Sequence, residues 1–590
     1  MFWYISIKIV AMKKWILLLC CFIVAQSRAQ QRPVIYQMMV RLFGNKNTTN
    51  AYYGSLEQNG VGKFNDISDA ALDSLKTLGL SHIWYTGIIA HASMTDYSSF
   101  GIAPDDPDVV KGRAGSPYAI RDYYDVDPDL AVDINNRMNE FQDLVTRTHA
   151  HGLKVLIDFV PNHVARTYHS NMKPNGIKDF GANDDTSRPF FNQNDFYYLP
   201  HTSFIVPSGV DAGGPHFHSP LKDGKFHEQP AKATGNNVFK PDPSIDDWYE
   251  TIKLNYGLDI QNGDKKDFVP IPSVWNKMLD ILLFWSAKGV DGFRCDMAEM
   301  VPVEFWDWAI TKVKQQYPNI IFIAEAYNPK VYQTYIGQGK FDYLYDKVGM
   351  YDAVKKLIKN ESNGNVQQID SIEQSFPAQK LIRFLENHDE ERIASRQFAD
   401  DPTHAIPGMV VMAMLSKNPV MIYFGQEVGE KGEGKEGFGG DDGRSSLFDY
   451  WGVPAQQAWM DGGKFDGANL SAQQKDLRTF YQRLLNAVNN NSAIQKGDYF
   501  PLNIKELTDR QKIYVRITKG NAVLVAVNFD RSKPINQYIY LPKEWKQKYR
   551  LNPITQIQSI LDDNTIGKIN LFKSIHVQVP PAGAIVWNLK

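Results

Sequence analysis

Short apolar runs alternate with amphipathic helical patterns from residue 33 to residue 427, and this alternation limits the fold more than any other feature of the chain. "PVIYQMMVRLF" (33–43), "SHIWYTGI" (81–88), "KVLIDFV" (154–160), "NIIFIAEAY" (319–327), "KLIRFLENHD" (380–389) and "NPVMIYFGQE" (418–427) read as strands. "DISDAALDSLKTLGL" (66–80, capped by Asp66 or Ser68), "INNRMNEFQDLVTRTHAHGL" (134–153), "VWNKMLDILLFWSAKGV" (274–290), "EFWDWAITKVKQQYP" (304–318), "YDAVKKLIKNE" (351–361) and "AIPGMVVMAMLSK" (405–417) read as helices. Strands joined through helices run parallel, because a tight hairpin can join only antiparallel ones. Eight such units close into a (β/α)8 TIM barrel, whose chemistry sits at the C-terminal ends of the strands.

Two stretches break the alternation. Residues 164–258 are polar and rich in Gly, Pro, His and Asn, and a loop that long reads as an inserted domain after the third strand. From about residue 492 the pattern switches to short alternating strands, such as "KIYVRIT" (512–518), "AVLVAVNF" (522–529), "YIYLP" (538–542), "IHVQVP" (575–580) and "AIVWNL" (584–589). The expected division is a barrel over 30–163 and 259–490, an insertion over 164–258, and a C-terminal antiparallel β-sandwich domain over 491–590.

The first 29 residues have a different character. "MKKWILLLCCFIVAQSRAQ" carries two lysines, an apolar core and a small-residue end at Ser27–Ala29, which is the secretory pattern. It starts at Met12, so Met12 reads as the initiator. Cleavage near Ala29 removes Cys20 and Cys21 and leaves Cys295 alone, so no internal disulfide is expected. The chain therefore reads as exported, to a bacterial periplasm or beyond, and as a monomer. Lys and Arg number 64 against 66 Asp and Glu, which gives no basic stripe for nucleic acid. No later run is long and apolar enough to span a bilayer, so no membrane attachment is expected after cleavage.

Charged groups collect at strand ends: Asp158 with Asn162 and His163, Asp296, Glu325, and His388 with Asp389. An Asp at a strand end more often caps the next helix than catalyses, but carboxylates from three strands converging on one barrel mouth are hard to obtain from caps. Arg294 lies two residues before Asp296, and on a strand that spacing points both side chains to one side. They form either a structural ion pair or a pair that keeps Asp296 ionised for chemistry.

"DFVPNH" (158–163), "GFRCD" (292–296), "AEAY" (324–327) and "ENHDEER" (386–392) resemble, in order, the four signature segments of the α-amylase family of retaining glycoside hydrolases. "SPYAIRDYY" (116–124) is similar to the family's segment before its third strand. The resemblance implies Asp296 as nucleophile, Glu325 as general acid/base and Asp389 as transition-state stabiliser. It also implies Arg294, His163 and His388 as contacts to the reacting sugar, with Tyr118 stacking on it. Physical chemistry adds two expectations. Arg294 should lower the pKa of Asp296, with Asp158 bracing the guanidinium, and the apolar flanks Ala324 and Ala326 should raise that of Glu325. Trp248 and Tyr249 of the insertion are expected to add stacking surface.

The chemistry needs no cofactor, but the resemblance brings calcium into question. "FGNKNTTN" (43–50) and "NGVGKF" (59–64) resemble a family metal loop whose acidic positions hold Asn47 and Lys63 here, so the Lys63 ammonium is expected in the metal's place. A second family site uses the equivalent of Asn162, a backbone carbonyl near Met300 and acids of the insertion, for which Asp184 and Asp185 are candidates. No metal ligand is assigned. The expected activity is retaining hydrolysis of α-1,4 bonds in starch-derived glucans and maltooligosaccharides. A neopullulanase- or cyclomaltodextrinase-like hydrolase acting also on α-1,6 bonds, or a glucanotransferase, would use the same triad, and both stay open. Residues 298–300, "AEM", differ from the Lys-His of many starch-cutting members, and "IKLNYGLD" (252–259) is closer to neopullulanase-like ones. A sugar-binding relic would have lost a carboxylate, and all three are present.

Overall fold

The computed structural model describes residues 32–375, 379–435 and 437–589. The secretory segment, with Met12, Cys20 and Cys21, lies outside the described residues. Eight parallel strands form one sheet: β1 (Val34–Met39), β2 (His82–Thr86), β3 (Lys154–Phe159), β4 (Gly292–Cys295), β5 (Ile321–Ala324), β6 (Tyr343–Tyr345), β7 (Leu381–Ile382) and β8 (Val420–Tyr423). β1 pairs with both β2 and β8, and a single parallel bridge between Arg383 and Val420 closes the ring between β7 and β8. Every residue of β1, β2 and β4 is buried, as expected of parallel strands covered on both faces.

The barrel strands differ from the sequence reading in several places, and β7 keeps only Leu381–Ile382 of the expected 380–389, the chain beyond the Arg383 bridge leaving the sheet toward His388 and Asp389. β1 stops at Met39, and Val40–Phe43 turn into a short helix. β6 has only three residues within "FDYLYD", too short for a period to register. The helices fall where expected, on Asp69–Leu78, Arg137–Ala150, Ser273–Ala287, Val303–Gln316, Asp352–Ile358 and Ile406–Met414. The Ser68 hydroxyl accepts from Ala71 N and caps the first of them, which ends on Gly79 at φ 104°.

Between β3 and the helix Ser273–Ala287 the chain makes its long excursion. Three antiparallel ribbons organise it: His163–Ala165 against Thr251–Lys253, Tyr198–Leu199 against Ala231–Lys232, and Leu258–Asp259 against Lys265–Lys266. The first ribbon begins where β3 leaves the barrel, so it couples the excursion directly to the mouth. After the helix Ala472–Asn490, a six-stranded antiparallel sheet and the ribbon Ile535–Ile539/Ile575–Val579 share one apolar core, as in a sandwich. Its strands Asp498–Leu502, Ile554–Ser559 and Thr565–Asn570 were not expected from the sequence. The buried Arg516 links this sheet to the barrel by donating to Met414 O at 3.0 Å. Among the described residues no helix is long and apolar enough to cross a membrane.

Candidate active site

Strand register brings the carboxylates together. Arg294 on β4 pairs with Asp158 on β3, and Cys295 pairs with Ala324 on β5. Asp296 and Glu325 follow that last pair, so they leave adjacent strands side by side, where neighbouring backbones lie about 4.8 Å apart. Asp296 N donates to Phe159 O and Glu325 N to Cys295 O, which extends the ladder by one step on each side.

Arg294 is the hub. It is fully buried, and its Nη1 donates to Asp296 Oδ1 at 2.8 Å and to Asp158 Oδ1 at 3.2 Å. Its Nη2 lies 2.9 Å from Glu325 Oε1, off the axis of a hydrogen bond. Its Nε donates to Tyr345 OH at 3.3 Å, and the rings of Trp84, Tyr118 and Tyr345 surround the guanidinium at 5.3, 5.2 and 5.6 Å. Burial alone would lower its pKa, but Glu325, Tyr345, Tyr118 and Asp296 together hold it well above the usual value.

The carboxyls respond in kind. Burial pushes Asp158 up to about 6 against the pull of Arg294, while Trp84 Nε1 donates to its Oδ2 at 2.9 Å. Asp296 also ends above the ordinary carboxylate value, because burial outweighs Arg294. The sequence suggested the opposite direction: a neighbouring cation is legible in the primary structure, but the depth of the pocket is not. Glu325 is raised too, by burial first, with Arg294 opposing and Asp296 reinforcing. It accepts from Met297 N and from Tyr327 OH, each at 2.7 Å. Asp389 has the most open side chain of the set, 35% exposed, and burial and the Glu325 charge still hold it well above its usual value.

Tyr118 and His388 stack at 5.2 Å, and Tyr118 OH lies 2.7 Å from His388 Nε2. His388 Nε2 is also 3.0 Å from Asp389 Oδ2, while its Nδ1 faces Gln37 Nε2 at 2.7 Å. Burial and Arg294 keep this imidazole neutral. A Gln37 amide donating to Nδ1 leaves the ring proton on Nε2, toward the mouth. His163 stands one step outside the cluster. Its Nδ1 is 3.0 Å from Asn162 Nδ2, Trp248 lies 5.3 Å from its ring, and burial lowers it to about 4. Tyr249 is buried, so it offers no stacking face, while Trp248 is half-buried.

The structure thus gathers Asp296, Glu325, Asp389, Arg294, Tyr118 and His388 in one network and sets His163 beside it. Sequence reasoning missed Gln37, Trp84, Tyr327 and Tyr345. Gln37 was the one legible signal among them, as a polar residue inside the apolar run "VIYQMM". The lysine of the loop that resembles a family metal loop is bonded to a backbone carbonyl. Lys63 Nζ donates to Asp129 O at 2.6 Å, and the loop closes through amides, with Asn45 Nδ2 on Asn59 O and Trp451 O and Asn47 Nδ2 on Gln58 O.

Residues 50–497 match the family model described as "Alpha amylase, catalytic domain". "Alpha-amylase 2" of Dictyoglomus thermophilum is 21% identical over 517 residues, covering 86% of this chain and 70% of that one. The "Alpha-1,4-glucan:maltose-1-phosphate maltosyltransferase" of Cereibacter sphaeroides is 26% identical over 314 residues, covering 51% of this chain and 36% of that one. The crystal structure of the α-amylase from Geobacillus thermoleovorans complexed with acarbose superposes with a TM-score of 0.59 at 18% identity, covering 96% of this chain and 99% of that one.

Proposed function

The chain belongs to the α-amylase family, and from that premise we propose that it cleaves α-1,4 bonds of maltooligosaccharides by double displacement at Asp296. The observation that carries this reading is one buried guanidinium contacting three carboxyls, Asp158, Asp296 and Glu325, at the C-terminal mouth of a parallel barrel. Retaining hydrolysis needs two carboxyl groups about 5 Å apart, one ionised and one protonated. Adjacent exits from β4 and β5 support that separation. Burial raises both carboxyls and Arg294 pulls both back. The guanidinium hydrogen bond goes to Asp296, which favours Asp296 as the ionised partner and leaves Glu325, raised further by the Asp296 charge, to hold the proton.

In the first step an Asp296 oxygen bonds to the anomeric carbon while the glycosidic C–O bond breaks, and Glu325 gives its proton to the departing oxygen. In the second, Glu325 takes a proton from water, the water oxygen bonds to the anomeric carbon, and the Asp296 ester bond breaks. Asp389 accepts hydrogen bonds from the sugar hydroxyls as the ring flattens, Tyr118 stacks beneath it, and the Nε2 proton of His388 faces the same ring. A sugar hydroxyl in place of water turns the second step into transfer, the alternative that the maltosyltransferase relative supports. The secretory pattern of the first 29 residues supports action outside the cytoplasm on imported or exported glucan fragments.

The test is proton NMR of the first product released from maltoheptaose, followed by mass mapping of enzyme trapped with a fluorinated glucosyl fluoride. The expected result is the α-anomer first and the label on Asp296. A β-anomer first, or a label on Asp389 or Glu325, overturns the assignment.

A further inference from the structure

The ribbon that joins the excursion to the barrel contains a cation that forms no ion pair among the described residues, the charge of Asp264 acting on it only from a distance. Lys253 sits opposite His163 in that ribbon and is 2% exposed. Its ammonium donates to Asn162 Oδ1 and, at 3.3 Å, to Met300 O. Both acceptors are neutral oxygens. Asn162 is where the chain leaves β3, and Met300 closes the short turn Ala298–Met300 that follows Asp296. Asn162 Nδ2 in turn donates to Gly235 O at 2.8 Å, deep in the excursion. One amino group therefore fastens the exit of β3, the excursion and the loop behind Asp296 to one another.

This is the place at which the family resemblance implies calcium, and the donor set does not fit that ion. Calcium takes six to eight oxygens and favours carboxylates. Here the two oxygens in question already accept from an ammonium. The acids that sequence offered are used elsewhere: Asp184 accepts from the amides of Asp195 and Phe196 and from Tyr198 OH, and Asp185 accepts from Ser187 and pairs with Arg188. Among the described residues no group of three or more His, Cys, Asp or Glu side chains could hold a metal ion.

We propose that the Lys253 ammonium is the resident cation of this junction, a covalently held substitute for a divalent metal that docks the excursion onto the barrel and fixes the loop behind Asp296. An ammonium reproduces part of what a metal does there, since it carries positive charge and directs several short bonds at oxygens. It differs in that it cannot dissociate, so neither dilution nor a chelator removes it. Stabilisation by a bound metal depends on its free concentration, and stabilisation by Lys253 does not.

The test uses the purified chain in three measurements. Elemental analysis should find far less than one calcium per molecule. Calorimetry in EDTA and in millimolar calcium should give melting temperatures equal to within about 1 °C. Lys253→Met, which keeps the unbranched apolar stem but leaves Asn162 Oδ1 and Met300 O without the Lys253 donor, should melt on the order of 5 °C lower. It should also be cleaved faster by protease within 164–258, with or without calcium. Stoichiometric calcium, or a melting temperature that falls in EDTA and recovers with calcium, overturns the proposal. So does a Lys253→Met protein that matches the parent in melting temperature and protease resistance. If Lys253→Met does not fold, Lys253→Gln serves in its place, and the two metal measurements on the parent chain still decide.

Discussion

Arg294 and Lys253 are both buried cations within reach of the barrel mouth, and their surroundings differ in kind. Arg294 has three carboxyls within 3.2 Å and is held well above its ordinary pKa. Lys253 has two neutral oxygens, and burial lowers it to about 7. The first site concentrates charge that cannot all be ionised at once, which is the condition acid–base chemistry needs. The second spreads one charge over dipoles, which suits fastening. A buried cation is therefore not diagnostic of catalysis; the number of anions competing for it is.

The strongest way to break the comparison is Asp296→Asn. Activity on maltoheptaose should fall by several orders of magnitude while the circular dichroism and melting temperature stay near those of the parent. Retention of more than a few per cent of the rate would make Asp296 an anchor like Asn162 rather than a reacting group. Next in size is Glu325→Gln, which should be nearly inactive on glucan yet far less impaired on an aryl glucoside with a good leaving group, because acid assistance then matters less. Equal losses on both substrates would remove Glu325 from the acid role.

Arg294→Lys sharpens the contrast, because it keeps the charge and removes the planar fork. A loss of kcat on the order of 10²-fold or more is expected. Since Arg294 lowers the pKa of Asp158, Asp296 and Glu325, weakening it should raise all three. The acid limb of the rate profile, which reports ionisation of the nucleophile, should then move to higher pH. An unmoved limb would mean that charge alone suffices. The smallest effect belongs to Tyr327→Phe. Tyr327 OH lowers the Glu325 pKa by donating to Oε1, so its removal should shift the alkaline limb upward at a rate cost below about tenfold. A downward shift would reverse the role given to that hydroxyl.

The catalytic network was more legible in the sequence than the fastening site. Asp158 and Arg294 lie near the ends of buried strands, Asp296 and Glu325 directly follow them, and His388 and Asp389 follow an apolar run whose strand is only Leu381–Ile382, so each stands out as a polar residue beside an apolar run. Lys253 lies in "ETIKLN", inside a long polar stretch where a lysine looks solvated; only the folded junction removes its water. Burial also explains the reversed direction at Asp296, since neighbours in sequence show which charges are close but not how dry the site is. Tyr345 escaped notice because β6 is three residues long, and Tyr327 because its target is Glu325, two residues away on the same exit. The eight-stranded architecture was readable from six quoted strands and the strand context of Arg294, because strands that alternate with helices must run parallel.

The ring itself has a seam. β7 contributes two residues, and its link to β8 is the Arg383–Val420 bridge, with Arg383 N donating to Pro419 O and Met421 N to Arg383 O. Every other join in the ring has at least two paired positions, and the join of β1 to β2 has five. A cylinder with one narrow staple opens there first. Amide exchange at Met421 should therefore be faster than at the matching depth of β1, and thermal opening should begin as a sheet unrolling from β7 and β8 while the β3–β5 wall that carries Asp158, Asp296 and Glu325 stays paired.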